Sequence, residues 1–306
     1  MSEVNADIAV QRFARLSRMP LEHVGATSGL APREVWTSVR DVFRQREMLD
    51  LLIRRDLKAK YKDSALGFLW SLARPLMQLA IYFVVLGHFL GAARGIPDFA
   101  IFVFAGLTAM GLFQEIAVGG TGSILANAGL VKKVYLPREV FPLASTGSAL
   151  FNFGVQLAVL LVATVAVGAP PIHLEIIYAV PSLLVIVVYG LAFGLFFGAV
   201  NVYLRDTQYL VEVAMMLLFW ASPVVYSWQM VDTIVTNQVL VDVYTSNPLT
   251  LAVIGFQEAF WTAGDALTQP QDLGLRLTVA LIVGLGLLFA SHRVFLRLQG
   301  NFAQEL

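Results

Sequence analysis

An all-α polytopic membrane protein is the fold class this sequence predicts: six transmembrane helices, an N-terminal amphipathic interface helix, and re-entrant helices before the last span. Three observations carry the prediction. Of 306 residues, 58% are hydrophobic and only 14% charged, with a mean hydropathy of +0.72, whereas a soluble globule carries about 25% charge. Six apolar stretches approach or exceed the length, about 20 residues, that a helix needs to cross a bilayer core. Basic residues fall mainly on one side of the alternation that these stretches create. The same composition argues against disorder, and the absence of cysteine excludes a disulfide scaffold. Equal numbers of basic and acidic residues, 21 each, offer no excess of charge for a nucleic-acid partner.

Taken in order, residues 1–46 read as a cytoplasmic N-terminal arm. Its first 32 residues lack periodicity, then Val35, Trp36, Val39, Val42 and Phe43 recur at helical spacing. About 69 mostly polar residues precede the first long apolar run, so the pattern predicts no signal peptide. Residues 47–69 form the interface helix. Met48, Leu49, Leu52, Ile53, Leu57 and Tyr61 share one face, with Asp50, Arg54, Arg55, Lys58 and Lys62 on the remaining arc. A cationic amphipathic helix beside a span belongs in the membrane interface.

Residues 70–306 make the six-span domain, with spans at about 70–91, 99–118, 140–167, 176–200, 209–226 and 275–295. The stretch 247–264 is apolar but short. It begins Asn-Pro and contains Gln257 and Glu258, which favours a re-entrant or interfacial segment over a seventh span.

Charge sets the orientation. With both termini cytoplasmic, the N-terminal cluster, Arg74, Lys132, Lys133, Arg138, Arg205, Arg293 and Arg297 lie inside, and only Arg94 and Arg276 lie outside. The segment from Ser227 to Leu275 contains no Lys or Arg but has Asp232, Asp242, Glu258, Asp265 and Asp272. A seventh span would put Arg293 and Arg297 outside, so charge favours six.

The membrane interior has little titratable chemistry. Glu115 and Glu212 fall near the inner ends of their spans, where pairing with nearby Lys or Arg is the plainer expectation, and His88 falls near an outer end. Around the midplane stand the neutral groups Gln78, Asn152 and Gln156. A proton relay needs ionisable groups at that depth, so proton coupling is not expected. The four His residues show no metal-ligand spacing, and no nucleophile elbow or Walker-type phosphate loop is found. Gly119-Gly120-Thr121-Gly122 lacks the Lys such a loop requires and reads as a helix end. If ATP drives this protein, another chain must bring it.

Aromatic residues are abundant. Trp70, Trp228 and Trp261 are expected to anchor at the interface. Tyr82, Phe83, Phe219, Trp220 and Tyr226 are candidate channel-lining rings, since aromatic faces suit the CH faces of sugars, although ordinary packing is the commoner use of each.

Three stretches go beyond composition. The first is Arg55-Asp56-Leu57-Lys58 with Tyr61, then Leu66-Gly67-Phe68-Leu69-Trp70 and Arg74-Pro75-Leu76. The second is Lys132-Lys133-Val134-Tyr135-Leu136-Pro137-Arg138-Glu139, followed by Phe141-Pro142-Leu143. The third is Asn201-Val202-Tyr203-Leu204-Arg205-Asp206, leading into Ala221-Ser222-Pro223-Val224-Val225-Tyr226 and Asn247-Pro248. Over about residues 48–298, this set resembles the permease subunits of type-2 ABC exporters, in particular the branch exporting O-antigen, teichoic acid and capsule.

The resemblance implies an ATP-driven exporter of a lipid-linked polysaccharide (O-antigen, cell-wall galactan or a similar glycan on a polyprenyl diphosphate) in the cytoplasmic membrane of a bacterium. It implies a homodimer of permeases bound to two copies of an ABC ATPase, with ATP and Mg2+ used by that partner and no cofactor in this chain. A coupling helix at about Ile124 to Val134 is implied, with ATPase-coupling residues Ile124, Leu125, Asn127, Leu130, Lys132, Lys133, Tyr135, Arg138 and Glu139. On the interface helix, Arg54, Arg55, Asp56, Lys58, Tyr61 and Lys62 are candidates for contact with the diphosphate, or for enforcing topology and binding anionic lipid. Asn201, Arg205 and Asp206 are placed at the cytoplasmic mouth. A type-2 exporter of small molecules shares the fold and is the alternative reading. A membrane-embedded glycan-modifying enzyme should show acidic or His clusters at one interface, which this chain lacks.

Overall fold

A computed structural model describes residues 40–42, 44–61, 69–89, 91, 95–134, 136–264, 270 and 272–306. Most of the predicted N-terminal arm, Lys62 and Tyr135 lie outside the described residues, as do the side chains of Tyr61, Trp70 and Arg74. Among the described residues the secondary structure is entirely helical.

Helix α1 (Arg46–Tyr61) precedes α2 (Leu69–Ile81), which contains Pro75 and continues as a wider π-helical stretch over Tyr82–Phe89. Proline lacks an N–H and cannot close the helical bond at its position, a common origin of such irregularity. Then come α3 (Phe99–Ala126), the short α4 (Ala128–Lys133) and α5 (Val140–Val167). A 3-10 turn, Leu174–Tyr178, leads into α6 (Ala179–Tyr203), followed by α7 (Thr207–Trp220), α8 (Trp228–Ile234) and α9 (Gln238–Ser246). The chain ends with α10 (Pro248–Phe260), α11 (Leu273–Leu298) and α12 (Phe302–Glu305).

Among the described residues, four helical runs are long and apolar enough to cross a membrane: Phe99–Ala126, Val140–Val167, Leu174–Tyr203 and Leu273–Glu305. Helices α9 and α10 add a fifth if taken as one broken span. The other two expected spans are shorter. Of α2 and its continuation, Pro75–Phe89 is the apolar part. Helix α7 has 14 residues, about 21 Å at the helical rise, against a hydrocarbon core of about 30 Å. It stops at Trp220, six residues before the expected end at Tyr226, where the Ala221-Ser222-Pro223 turn begins. The second span instead runs past the expected Val118 to Ala126.

Helix α3 is the central post, 78% of its apolar window being buried, against 22% for α11. Its tightest contact is with α6, through glycine. Gly190, Gly194 and Gly198 are spaced at four residues, which puts them on one face of α6. A Cβ added to Gly120 would come within 2.7 Å of Gly194 Cα, and one added to Gly198 within 2.8 Å of the Gly120 carbonyl oxygen. In a membrane, where apolar burial between helices gains little over lipid, backbone approach of this kind supplies the van der Waals contact that holds helices together.

The segment α9–α10 bends by 76° between Ser246 and Pro248. Asn247 makes the break: its side chain accepts from Leu249 N at 3.1 Å, capping α10, and Pro248 takes the first position, where no N–H is needed. From Leu249 to Phe260 every residue of α10 is buried, against α3, α6 and α11. Helix α10 is thus packed on protein along nearly its whole length. Gln257 Nε2 donates to the Pro223 carbonyl at 2.8 Å, inside the same core. Trp261 is no interface anchor. It is 3% exposed, donates from Nε1 to the Pro97 carbonyl at 2.7 Å and stands edge-on to Phe102.

A second, smaller core gathers Leu52, Ile124, Val131, Val140, Phe141, Val202, Phe295 and Phe302. It joins α1 and α4 to one end of α3, α5, α6 and α11, the end that carries Lys132, Lys133 and Arg297.

Candidate functional site

A cleft of about 890 Å³ opens between α2, α3, α5 and α7. Each helix presents it with a stripe at helical spacing: Pro75, Gln78 and Tyr82 on α2; Leu107, Met110, Gly111, Gln114, Glu115, Val118 and Gly119 on α3; Ser145, Ser148, Ala149, Asn152 and Gln156 on α5; Glu212, Met215, Met216, Phe219 and Trp220 on α7. Lys60 of α1 completes the lining.

The α5 stripe is polar on an otherwise apolar helix, with intervals of three, four and four residues. Such groups are costly in hydrocarbon, so they turn inward to one another or to a wet cavity. Asn152 Nδ2 donates to Glu115 Oε2 at 2.8 Å. Gln114 Nε2 donates to the Met215 carbonyl at 3.4 Å, tying α3 to α7, and Gln208 Nε2 donates to Glu212 Oε1 at 2.9 Å. Among the described residues these carboxylates are held by amides and not by a Lys or Arg. Across the cleft, the Tyr82 and Phe219 rings stack at 6.1 Å, and Phe219 meets Trp220 edge-on.

Three of the five candidate channel aromatics therefore share one cavity. The other two lie elsewhere. Phe83 faces away on α2 and packs on His88 at 5.9 Å. Tyr226 does not line the cleft: its OH donates to the Trp220 carbonyl at 2.9 Å and accepts from Tyr244 at 3.3 Å. Sequence reading missed Lys60 and underrated the α5 stripe; the regular recurrence of Ser145, Ser148, Asn152 and Gln156 was the available signal.

Within residues 124–134, where coupling is expected, α3 ends and the short α4 follows. Asn127 Nδ2 bonds back to the Ser123 carbonyl at 2.8 Å, and α3 ends there before α4 begins. Asn127 Oδ1 accepts from Arg55 Nη2 at 2.6 Å, so α1 is latched to the α3–α4 junction. Arg55 also pairs with Asp56 at 2.7 Å. Arg54 makes an exposed pair with Asp50, also at 2.7 Å, and Lys58 is exposed. Of the candidate coupling residues, Lys132 and Lys133 are exposed. Leu125, Leu130 and Arg138 are half-buried, while Ile124 and Glu139 are buried. Glu139 stands 3.5 Å from His292 Nε2 of α11, joining the start of α5 to the end of the last long helix.

Asn201 is not at an open mouth. It is 1% exposed, donates to the Thr121 carbonyl at 3.1 Å and accepts from Gln208 N at 3.2 Å, pinning α6, α3 and the start of α7 together. Arg205 and Asp206 follow in an exposed turn. Among the described residues, no three His, Asp or Glu side chains converge as a metal site would require.

The profile of the family described as ABC-2 type transporter matches residues 48–261. Among curated relatives, the O-antigen export system permease protein RfbA of Myxococcus xanthus is 29% identical over 268 residues, covering 88% of this chain and 98% of the relative. A protein of the same name from Klebsiella pneumoniae is 27% identical over 261 residues, covering 85% and 95%. The polysialic acid transport protein KpsM of Escherichia coli is 25% identical over 190 residues, covering 60% and 70%.

Proposed function

Because this chain belongs to the ABC-2 type transporter family, we propose that it is the membrane permease subunit of an ABC exporter that moves a lipid-linked polysaccharide out of the cytoplasm. The observation that carries the reading is the near full-length similarity to two proteins named as O-antigen export permeases. The cleft supports it, since stacked rings facing amides, hydroxyls and carboxylates suit a sugar polymer that must be held weakly at many registers.

In this reading the chain is a non-catalytic membrane subunit, and a separate ATPase binds ATP and Mg2+. The permease works as a homodimer with two ATPase copies, in a cytoplasmic membrane, with both termini and α1 on the cytoplasmic side. Helix α2 with its π-helical extension and helix α7 count as spans, giving six, with α9–α10 re-entrant. Helix α4 receives the ATPase. Lys132 and Lys133 meet it, and the Arg55–Asn127 latch together with the Glu139–His292 contact passes its movement to α1, α3 and α11 as rigid-body motion. Exposed basic residues on α1, such as Arg54 and Lys58, attract the carrier's diphosphate or anionic lipid headgroups.

The test is co-purification with the ATPase supplied from the same genome, comparing the native chain with a Lys132→Ala, Lys133→Ala double variant. Both lysines are exposed, so the fold should survive. A stable complex that hydrolyses ATP, and loses association several-fold in the variant, supports the reading. No associating ATPase would overturn it.

A further inference from the structure

We propose that the cleft selects an uncharged, hydroxyl-rich glycan and excludes a polyanionic one, with Glu115 and Glu212 as its specificity-determining residues. The inference rests on the export reading above and deepens it by naming the substrate class.

The first argument is charge. Among the described residues the lining has two carboxylates, Glu115 and Glu212, and one ammonium, Lys60 of α1; the other polar groups described there are neutral amides and hydroxyls. The carboxylates stand on α3 and α7, the helices that frame the aromatic wall. A polymer with an acid on every sugar would bring anions against these carboxylates, and like charges repel.

The second argument is hydrogen-bonding capacity. Gln156 is 8% exposed and lines the cleft, and its side-chain amide has no hydrogen-bond partner among the described residues. Its Oε1 faces the place, 3.8 Å away, that a side chain on Gly111 would occupy, so the glycine keeps this part of the cleft open. Ser148 Oγ lines the same cleft and is buried without a partner among the described residues. A carboxylate only accepts, whereas an amide or hydroxyl both donates and accepts. Such a set matches sugar hydroxyls, which do both. A ligand carboxylate offers only acceptors, so it has no hydrogen to give the Glu oxygens and is repelled by them. The third argument is the aromatic side: Tyr82, Phe219 and Trp220 present uncharged ring faces to the CH faces of sugars.

The test uses the purified permease–ATPase complex and two probes with the same ring and linkage, a β-1,4-linked heptamer of mannose and one of mannuronic acid. Binding is read by quenching of tryptophan fluorescence, with Trp220→Phe expected to remove most of the signal. At low salt the native complex should bind the neutral heptamer about tenfold more tightly. A Glu115→Gln, Glu212→Gln double variant should bring the two within about twofold. If that variant fails to fold, Glu212→Gln alone, at an exposed position, and the native complex in high salt should each shrink the preference.

Equal binding of both heptamers, no quenching by either, or a preference untouched by the variants and by salt would overturn the proposal. ATP hydrolysis by the same preparation separates the two readings. A complex that hydrolyses ATP without discriminating overturns charge selection alone, whereas a chain that captures no ATPase overturns the export reading beneath it.

Discussion

At Gly120 a single methyl group has nowhere to go, because the nearest atoms are backbone of α6 and cannot rotate aside. Gly120→Ala should therefore push α3 from α6 and destabilise the chain by about 1–3 kcal/mol, as overpacking does, seen as a lower Tm in detergent. Gly286→Ala is the matched control. No atom lies within 4 Å of the Cβ it would add on α11, and alanine is the better helix former, so Tm should hold or rise slightly. Gln257 makes a different argument at the same scale. Its amide satisfies the Pro223 carbonyl inside the core, and Gln257→Leu would leave that carbonyl buried and unpaired, at a cost of about 1–3 kcal/mol. Chemical denaturation of the two proteins checks it; equal stability would mean that another donor serves Pro223.

Among the elements, α1 is joined to the rest by two kinds of contact. Leu52 is 4% exposed in the smaller core, and a side chain on Gly147 of α5 would collide with Ile53, so apolar packing sets where the helix lies. The Arg55–Asn127 bond then fixes α1 against the α3–α4 junction. Arg54, one residue earlier, only pairs with Asp50 in solvent, an arrangement worth a few tenths of a kcal/mol. Arg55→Ala should therefore lower ATP hydrolysis coupled to glycan several-fold in the reconstituted complex, while Arg54→Ala leaves it within about twofold of the native rate. Similar losses in both would place the effect in the basic charge of α1 instead of in the latch.

On the scale of the whole molecule, the prediction is topological, and the absence of cysteine from the sequence makes it clean to test. Thr236→Cys lies between α8 and α9 and Gly300→Cys just beyond α11, both at exposed positions. With the orientation that the basic residues dictate, a membrane-impermeant maleimide should label position 236 in intact spheroplasts and position 300 only after permeabilisation. Labelling of both from outside would add a span and move the C-terminus across the membrane.

Composition and apolar run length were enough to establish an all-helical membrane protein, because the need to satisfy every backbone group in hydrocarbon leaves a chain this apolar few alternatives. The Asn-Pro break at Asn247 was also legible, since capping and helix-breaking are local. The burial of α10 was not legible: a 13-residue apolar helix reads the same at an interface or within a bundle until its neighbours are known. Nor was the cleft. Tyr82 on α2, Glu115 on α3, Asn152 on α5 and Trp220 on α7 are far apart along the chain, and each looks like an isolated polar or aromatic residue in its own helix. Rotation of each helix about its axis decides which stripe meets which, and close glycine packing of α3 on α6 helps set that rotation for the central post. Sequence by itself thus determined what each helix carries, while only tertiary packing decided that these stripes face one cavity.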